Sequence, residues 1–415
     1  MKEWLAATQK QGDIAPGSKI TMQNWQQYKQ FMPLGMQLLF EGKYFWKIPA
    51  DVEMDVDAPF QVPVSKSYIE ATEKYGSQTR IEHNASGHMY VANYSAGQPF
   101  PNPSGPEIGD QLLADNWFAY VPHLYVNTPN NTWSACTVDR FQNISCSSVA
   151  VVYRQEGYET DPGVPMNLPE AGDVWFTEWL EVQTPEQSRY TANLMVYHKD
   201  PEKWLDDYVF VPALRRSLRL SVTARCAPIQ GSDYVQDDYK AIGFNGGLAL
   251  FHAEYLGRRK VIGMLGKYDQ MPSSHFPAEY DMPLGWPKPS WGKWRLYDVD
   301  IIDVRRIASE AAGYCYGSRI MYLDRYTHYP IWVDLYDSNL KLWKLQHWSL
   351  HMHNIPGIGP TIVNSGAIQL WDIQNDHATI GFETAGEALF NSEAPLNFRD
   401  YTKYATPSGL MQIMR

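Results

Sequence analysis

The 415-residue chain contains no C-x-x-C pair, no H-E-x-x-H, no G-x-x-x-x-G-K-[ST] loop, no G-x-G-x-x-G turn and no G-x-S-x-G elbow. It therefore lacks the close ligand pair that zinc sites usually bring, the phosphate-cradling loops of nucleotide enzymes, and the strained nucleophile turn of the α/β hydrolases. No run of about 18 continuous apolar residues occurs, which excludes a helix spanning a bilayer. Basic charge is also short: 35 Lys and Arg stand against 46 Asp and Glu, for a net charge of -11. Nucleic acid, which rewards clustered cations through counterion release, is not an expected partner. A dense basic run is Leu214 to Arg219, a candidate contact for an anionic head group or a partner, or the solvated face of a strand. Met1 to Gln30 holds no charged segment followed by an apolar one, so an exported protein of this sequence requires a leader upstream or one already removed.

Cysteine is scarce, and its placement is informative. Cys136 and Cys146 close a short, polar, turn-rich segment that reads as a stapled hairpin. Cys226 and Cys315 sit far apart at the ends of strand-like stretches and allow a second, long-range bridge. Four cysteines permit three pairings, and free thiols or a metal site are the competing readings. If both bridges form, the protein matures in an oxidising compartment. Aromatic residues make up 14% of the chain, with 15 Trp and 27 Tyr, a supply suited to strands and apolar grooves.

Along the chain, residues 1–20 read as an amino-terminal arm and 21–415 as a single domain. Thr21 can cap a helix carrying Trp25, Tyr28 and Met32. Another helical piece is expected at Met36 to Phe40, and a third opened by Ser65 or Ser67, with Tyr68, Thr72 and Tyr75 on one face. The stretch around 93–130, with Pro99, Pro101, Pro103 and Pro106, reads as a long ordered loop. From about Val149 the chain breaks into short alternating runs, such as Leu218, Leu220 and Val222 opposed to Arg219, Ser221 and Thr223. Further runs fall at Val174 to Val182, Thr191 to His198, Tyr208 to Val211, Tyr297 to Val304, Arg319 to Asp324, Ile331 to Tyr336, Leu340 to Gln346 and Ile368 to Ile373. Gly243, Gly246 and Gly247 mark a glycine-hinged loop between them. The fold class is α+β, mostly β: one large antiparallel sheet, which must curl, split or be covered, with helices covering or filling the hollow.

Several segments, in order and spacing, carry a resemblance over nearly the whole chain. They include Ile20 to Tyr28 with Phe40 to Tyr44, Tyr208-Val-Phe-Val-Pro-Ala-Leu-Arg-Arg-Ser-Leu-Arg219, Gly231 to Asp238 and Phe244 to Gly247. Met282-Pro-Leu-Gly-Trp-Pro-Lys-Pro-Ser-Trp291, Asp303 to Arg306, Tyr322 to Asp324 and Asp334 to Ser338 follow. Together they resemble domain-of-unknown-function family 1329, which is grouped with outer-membrane lipoprotein-sorting proteins of the LolA/LolB-like kind. The resemblance implies an unclosed barrel in the periplasm of a Gram-negative bacterium, with a possible place at the outer membrane. It implies lipid or other hydrophobic cargo, an RND-type, MmpL-like exporter and an outer-membrane protein as partners, no cofactor, and no enzymatic activity.

A carrier of this kind must offset roughly 25 cal/mol for each Å2 of apolar cargo surface exposed to water. Phe210, Leu218, Leu220, Val299, Ile301 and Trp343 are the candidate cavity-lining residues, with core packing as their alternative role. His347, His351 and His353 form the best metal candidate, although no metal site is expected. Asp237 with Asp238, and Asp298 with Asp300, are the carboxylate pairs a glycosidase would need. Three functions thus stand in order: a periplasmic carrier of hydrophobic cargo, a structural subunit of an outer-membrane or surface assembly, and a carbohydrate-active enzyme.

Overall fold

The alternating runs of the second half of the chain enter one sheet, except that of the run Leu218 to Thr223 only Leu218 and Arg219, among the described residues, lie in a strand. The computed structural model describes residues 11–127, 132–203, 205–221, 225–229, 231–238, 240, 243–245, 247–264, 276–384 and 388–413. Residues 1–10 of the expected arm, positions 128–130 of the expected loop, Val222, Thr223 and Gly246 lie outside the described residues. The first seven strands are β1 (Leu124–Asn127), β2 (Trp133–Val138), β3 (Ile144–Gln155), β4 (Val174–Thr184), β5 (Ala192–His198), β6 (Asp206–Val211) and β7 (Arg216–Arg219). The remaining eight are β8 (Phe251–Gly263), β9 (Arg295–Arg306), β10 (Ser318–Asp324), β11 (Pro330–Tyr336), β12 (Leu342–Ile355), β13 (Gly359–Asp372), β14 (His377–Thr384) and β15 (Leu389–Phe390). β2 to β7 form one antiparallel meander and β8 to β14 another, and the pairing of β2 with β14 joins them. β1 lies end to end with β2 along β3.

Three α-helices precede or interrupt the strands: α1 (Leu34–Glu41), α2 (Lys66–Tyr75) and α3 (Ile108–Trp117). Two short ones, α4 (Tyr401–Tyr404) and α5 (Pro407–Leu410), close the chain. α2 follows its sequence signals, with Ser65 at the N-cap position and Tyr68 and Thr72 buried four residues apart. Asp400 and Thr406 cap α4 and α5 through their side chains. The helix expected after Thr21 is a single 3-10 segment, Trp25–Phe31. Residues 11–20 are laid against the body: Ile14 and Ile20 are buried, and the Gln11 amide bonds the backbone of Lys260.

The expected loop at 93–130 requires correction, because it contains α3 and β1. α3 escapes a periodicity reading because almost every one of its residues is buried, so it has no polar face. It also shows that the sheet curls. At Gly109 an added Cβ would lie 2.0 Å from the carbonyl oxygen of Ala253, so only glycine lets this helix meet β8, where Asp110 accepts a hydrogen bond from the Ala253 amide. The other end of α3 places Trp117 against Trp175 of β4 and Tyr197 of β5, with ring centroids 6.3 and 6.1 Å apart. β4 and β8 are nine strand spacings apart in the sheet, about 43 Å if flat. A ten-residue helix is about 15 Å long, so the sheet must wrap around it. β7 and β8 do not pair with one another, and the barrel stays open.

The wrapped, inner face is covered by α3 and the segment from Arg225 to Leu250, which Cys226 ties to Cys315 in the β9–β10 connection. The outer face of β8 to β14 is sealed by α1, Trp46 and the 276–294 segment; Trp46 and Trp371 donate their indole N–H groups to the carbonyls of Asp372 and Leu284. The outer face of β3 to β6 is sealed separately. There Val152, Trp179, Leu194, Val196 and Phe210 pack with Tyr404 and Leu410 in a second, smaller core.

Candidate functional site

Where the inner cover stops short of β2 to β6, a groove of about 330 Å3 remains, within the usual size range of ligand pockets. The strand register explains its floor. Leu180 lies opposite Asn193, and Asn193 opposite Val209, so three adjacent strands present one row of side chains to the inner face. The next row inward is Glu178, Met195 and Asp207. Ala135 and Val149 extend the floor, Pro228 and Ile229 form the roof, and Leu220 stands at the edge.

Polar groups gather at the inner end. Asp207 accepts hydrogen bonds from Asn193 Nδ2 at 3.3 Å and Gln236 Nε2 at 2.6 Å, and burial pushes its carboxyl up to about 6. Glu178, one row position away, is pushed up to about 7 by burial, although the Tyr197 hydroxyl donates to it at 3.1 Å. Lys240 lies above, its amine 4.2 Å from the Trp175 ring centroid and 4.6 Å from that of Trp117, and burial lowers its pKa to about 7. Glu178 and Lys240 are thus each about half charged at neutrality, while Asp207 becomes neutral only below about pH 6. The arrangement suits an apolar chain whose end reaches a mixed polar row.

Two further cavities lie among the described residues. One of about 180 Å3 is walled by Tyr94, Phe118, Tyr158 and Trp175 beyond the cover. The other, about 520 Å3, sets Pro201, Ala249, Leu250 and Tyr314 beside the charged groups of Glu202, Arg225, Arg306 and Glu310.

The family model for a protein of unknown function, DUF1329, matches residues 19–410. The chain belongs to the DUF1329 family. Among solved structures it is similar to a DUF1329 protein from Desulfovibrio piger, at 12% identity and a TM-score of 0.49, covering 72% of this chain and 100% of that one. It is also similar to an outer membrane lipoprotein-sorting protein domain from Vibrio parahaemolyticus, at 14% identity and a TM-score of 0.46, covering 71% and 96%. A LolA superfamily protein from Nitrosomonas europaea gives 11% identity and a TM-score of 0.38, covering 68% and 91%. A search of curated proteins found no match.

Within this DUF1329 chain, the residues picked out by sequence separate. Leu220 lines the groove. Leu218, half-buried, pairs with Val209 on the same face without lining it. Phe210 points the other way, into the smaller core under α4 and α5. Val299 and Ile301 are fully buried on β9 in the main core. Trp343 packs on Tyr316 and donates to Asp372 Oδ2 at 3.0 Å. Alternation identified the strands but could not say which face had been left uncovered. Sequence reasoning missed Val149, Leu180, Met195, Asp207, Val209 and Ile229. The available signal was at β5, where Asn193 and Met195, with Thr191 just before the strand, mix polarity while Ala192, Leu194 and Val196 are uniformly apolar.

Both cysteine pairs are bonded as disulfides, Cys136 with Cys146 and Cys226 with Cys315. The histidines are part of the core. His347 stacks among Trp294 and Trp332 and accepts or donates at Nδ1 with Gln369, and burial lowers both it and His353 to about 3. No group of three metal-ligating side chains occurs among the described residues. Three of the four paired carboxylates are engaged in structure: Asp237 binds Arg225, Asp238 binds Arg319, and Asp300 accepts from Tyr255 and Arg258, while Asp298 is exposed.

Proposed function

We propose that this DUF1329 protein is a carrier that holds an acyl chain or a similar hydrophobic molecule in the groove over β2 to β6. The observation that carries this reading is the row Leu180, Asn193 and Val209 under the roof of Pro228 and Ile229: mostly apolar, with Leu220 at its edge and the hydrogen-bonded Asp207 and Gln236 at its inner end. An eight-carbon segment moved from water into such a site gains about 6 kcal/mol, at about 0.8 kcal/mol per CH2. The two disulfides support work in an oxidising compartment, the periplasm on the family resemblance. An RND-type exporter and an outer-membrane protein complete the reading as donor and acceptor of the cargo. Asp237, Asp238 and Asp300 are taken up by arginine and tyrosine partners, which favours carriage over glycoside hydrolysis.

The test is binding of an environment-sensitive naphthylamine dye and its displacement by fatty acids. Val209→Glu, which places a charge on the floor, and Asn193→Trp, which fills the middle of the row, should each weaken dye binding more than about tenfold. Dye binding unchanged in both variants, or absent from the unmodified protein, refutes the groove as a carrier site.

A further inference from the structure

Two hairpins wall the groove, and both hold large apolar side chains in solvent beside arginine. The β2–β3 hairpin gives the groove Ala135, Thr137, Ser147 and Val149. Its turn carries Phe141, 78% exposed, beside Arg140, whose guanidinium pairs with Asp376 at 3.5 Å, and Ile144 next to the turn is also exposed. This turn is stiff. Cys136 is bonded to Cys146 directly across the ladder, and Asp139 Oδ1 accepts from the amides of Phe141 and Asn143 at 2.8 and 2.9 Å. Phe141 is thereby held away from the protein's own core.

On the other side, the β6–β7 hairpin supplies Val209, and Leu220 follows it at the groove edge. Leu214 in its turn is 51% exposed and Leu220 37%. Between them Arg215 and Arg216 are exposed, and neither has an ion pair among the described residues. Arg215 itself takes the left-handed conformation that makes the turn tight, at a φ of 50°.

The whole chain carries a net charge of -11, so an anionic surface repels most orientations of it. At one turn beside the groove, Arg215 and Arg216 stand exposed without an ion pair among the described residues and offer an anionic surface two cations. We propose that the Phe141 turn and the Leu214 to Arg216 turn dock the groove edge on an anionic phospholipid bilayer, where hydrophobic cargo enters or leaves. The proposal rests on the carrier reading and names the surface it works against. A protein strand adding to the sheet edge fits less well, because β7 is only four residues long and offers few free backbone groups. Protruding Phe and Leu tips flanked by arginine instead match the way peripheral proteins insert apolar side chains below a layer of anionic head groups.

The test is flotation of the full chain with vesicles of phosphatidylglycerol and phosphatidylethanolamine, against vesicles of phosphatidylcholine alone. The protein should float with the anionic vesicles, stay down with the neutral ones, and be released by added salt. R215E/R216E and Phe141→Ser should each reduce the floated fraction at least about fivefold. Leu396→Ser, which alters an exposed leucine on the outer cover, should float as the unmodified protein does. All of these variants should keep naphthylamine dye binding, which separates failed docking from a failed groove. No flotation with anionic vesicles overturns the proposal, as do charge-reversal and Phe141 variants that float normally. Retention on outer-membrane proteins without any vesicle binding overturns it too, and assigns the patch to a protein partner.

Discussion

The two halves of the sheet meet the same inner cover in different ways. Toward β8 to β14 the cover is fastened at many points. Cys226 is bonded to Cys315, Asp238 binds Arg319 at 3.1 Å, the Lys344 amine donates to the Asp233 carbonyl at 2.6 Å, and the Asp233 carboxylate accepts from Thr379 at 2.7 Å. Toward β2 to β6 it rests on Gln236 against Asp207 and on Lys240 among Trp117, Trp175 and Phe176. Both faces of the second half are sealed, whereas the first half is sealed outside and only partly inside. The groove over the sheet floor survives where the cover leans, and the cover's buried ion pairs, Asp237 with Arg225 and Asp238 with Arg319, lie on the fastened side.

Breaking the fastened side should cost most. Replacing Cys226 and Cys315 by Ala removes a bridge across a sequence separation of 89, worth roughly 4 to 5 kcal/mol on a chain-entropy model, against roughly 2 to 3 for the Cys136–Cys146 bridge. Urea unfolding of the two variants tests that order. Asp238→Ala leaves Arg319 buried without its carboxylate and should cost roughly 3 to 5 kcal/mol, while Gln236→Ala on the leaning side should cost roughly 1 to 3. Equal losses would erase the distinction between the two sides.

Asp207 sharpens the comparison through pH. Its folded pKa, about 6, lies above the ordinary carboxyl range, so its contribution to stability is fully present below about pH 4 and is lost as pH rises through 6. The neutral carboxyl also makes the groove less polar. Dye affinity should therefore rise between pH 7.5 and pH 5, and Asp207→Asn should flatten that dependence. The smallest effect is expected at the edge: Leu220→Ala should change stability by no more than about 0.5 kcal/mol while weakening dye binding severalfold.

Much of this architecture is legible in the residues, with identifiable gaps. β9, β10 and β11 follow their alternating runs, and α2 follows its serine and its spaced aromatics. β8 does not, because a register shift between Tyr255 and Gly257, where Gly257 has a φ of 127°, breaks the alternation just before Arg258, Arg259 and Lys260. α3 is hidden by its own burial. The groove was the least legible element, since its position depends on which face the carboxy-terminal helices return to cover. Phe210 has the right period and the wrong side for that reason.

The most direct measurement is photo-crosslinking of a diazirine-bearing fatty acid to the detergent-free protein, followed by peptide mapping. Adducts should concentrate on the groove-lining positions of β2 to β6 and on Pro228 to Gln236, and disappear with Val209→Glu. Adducts confined to peptides of β9 to β13, or no adducts at all, would contradict a carrier built on the half-covered side of the sheet.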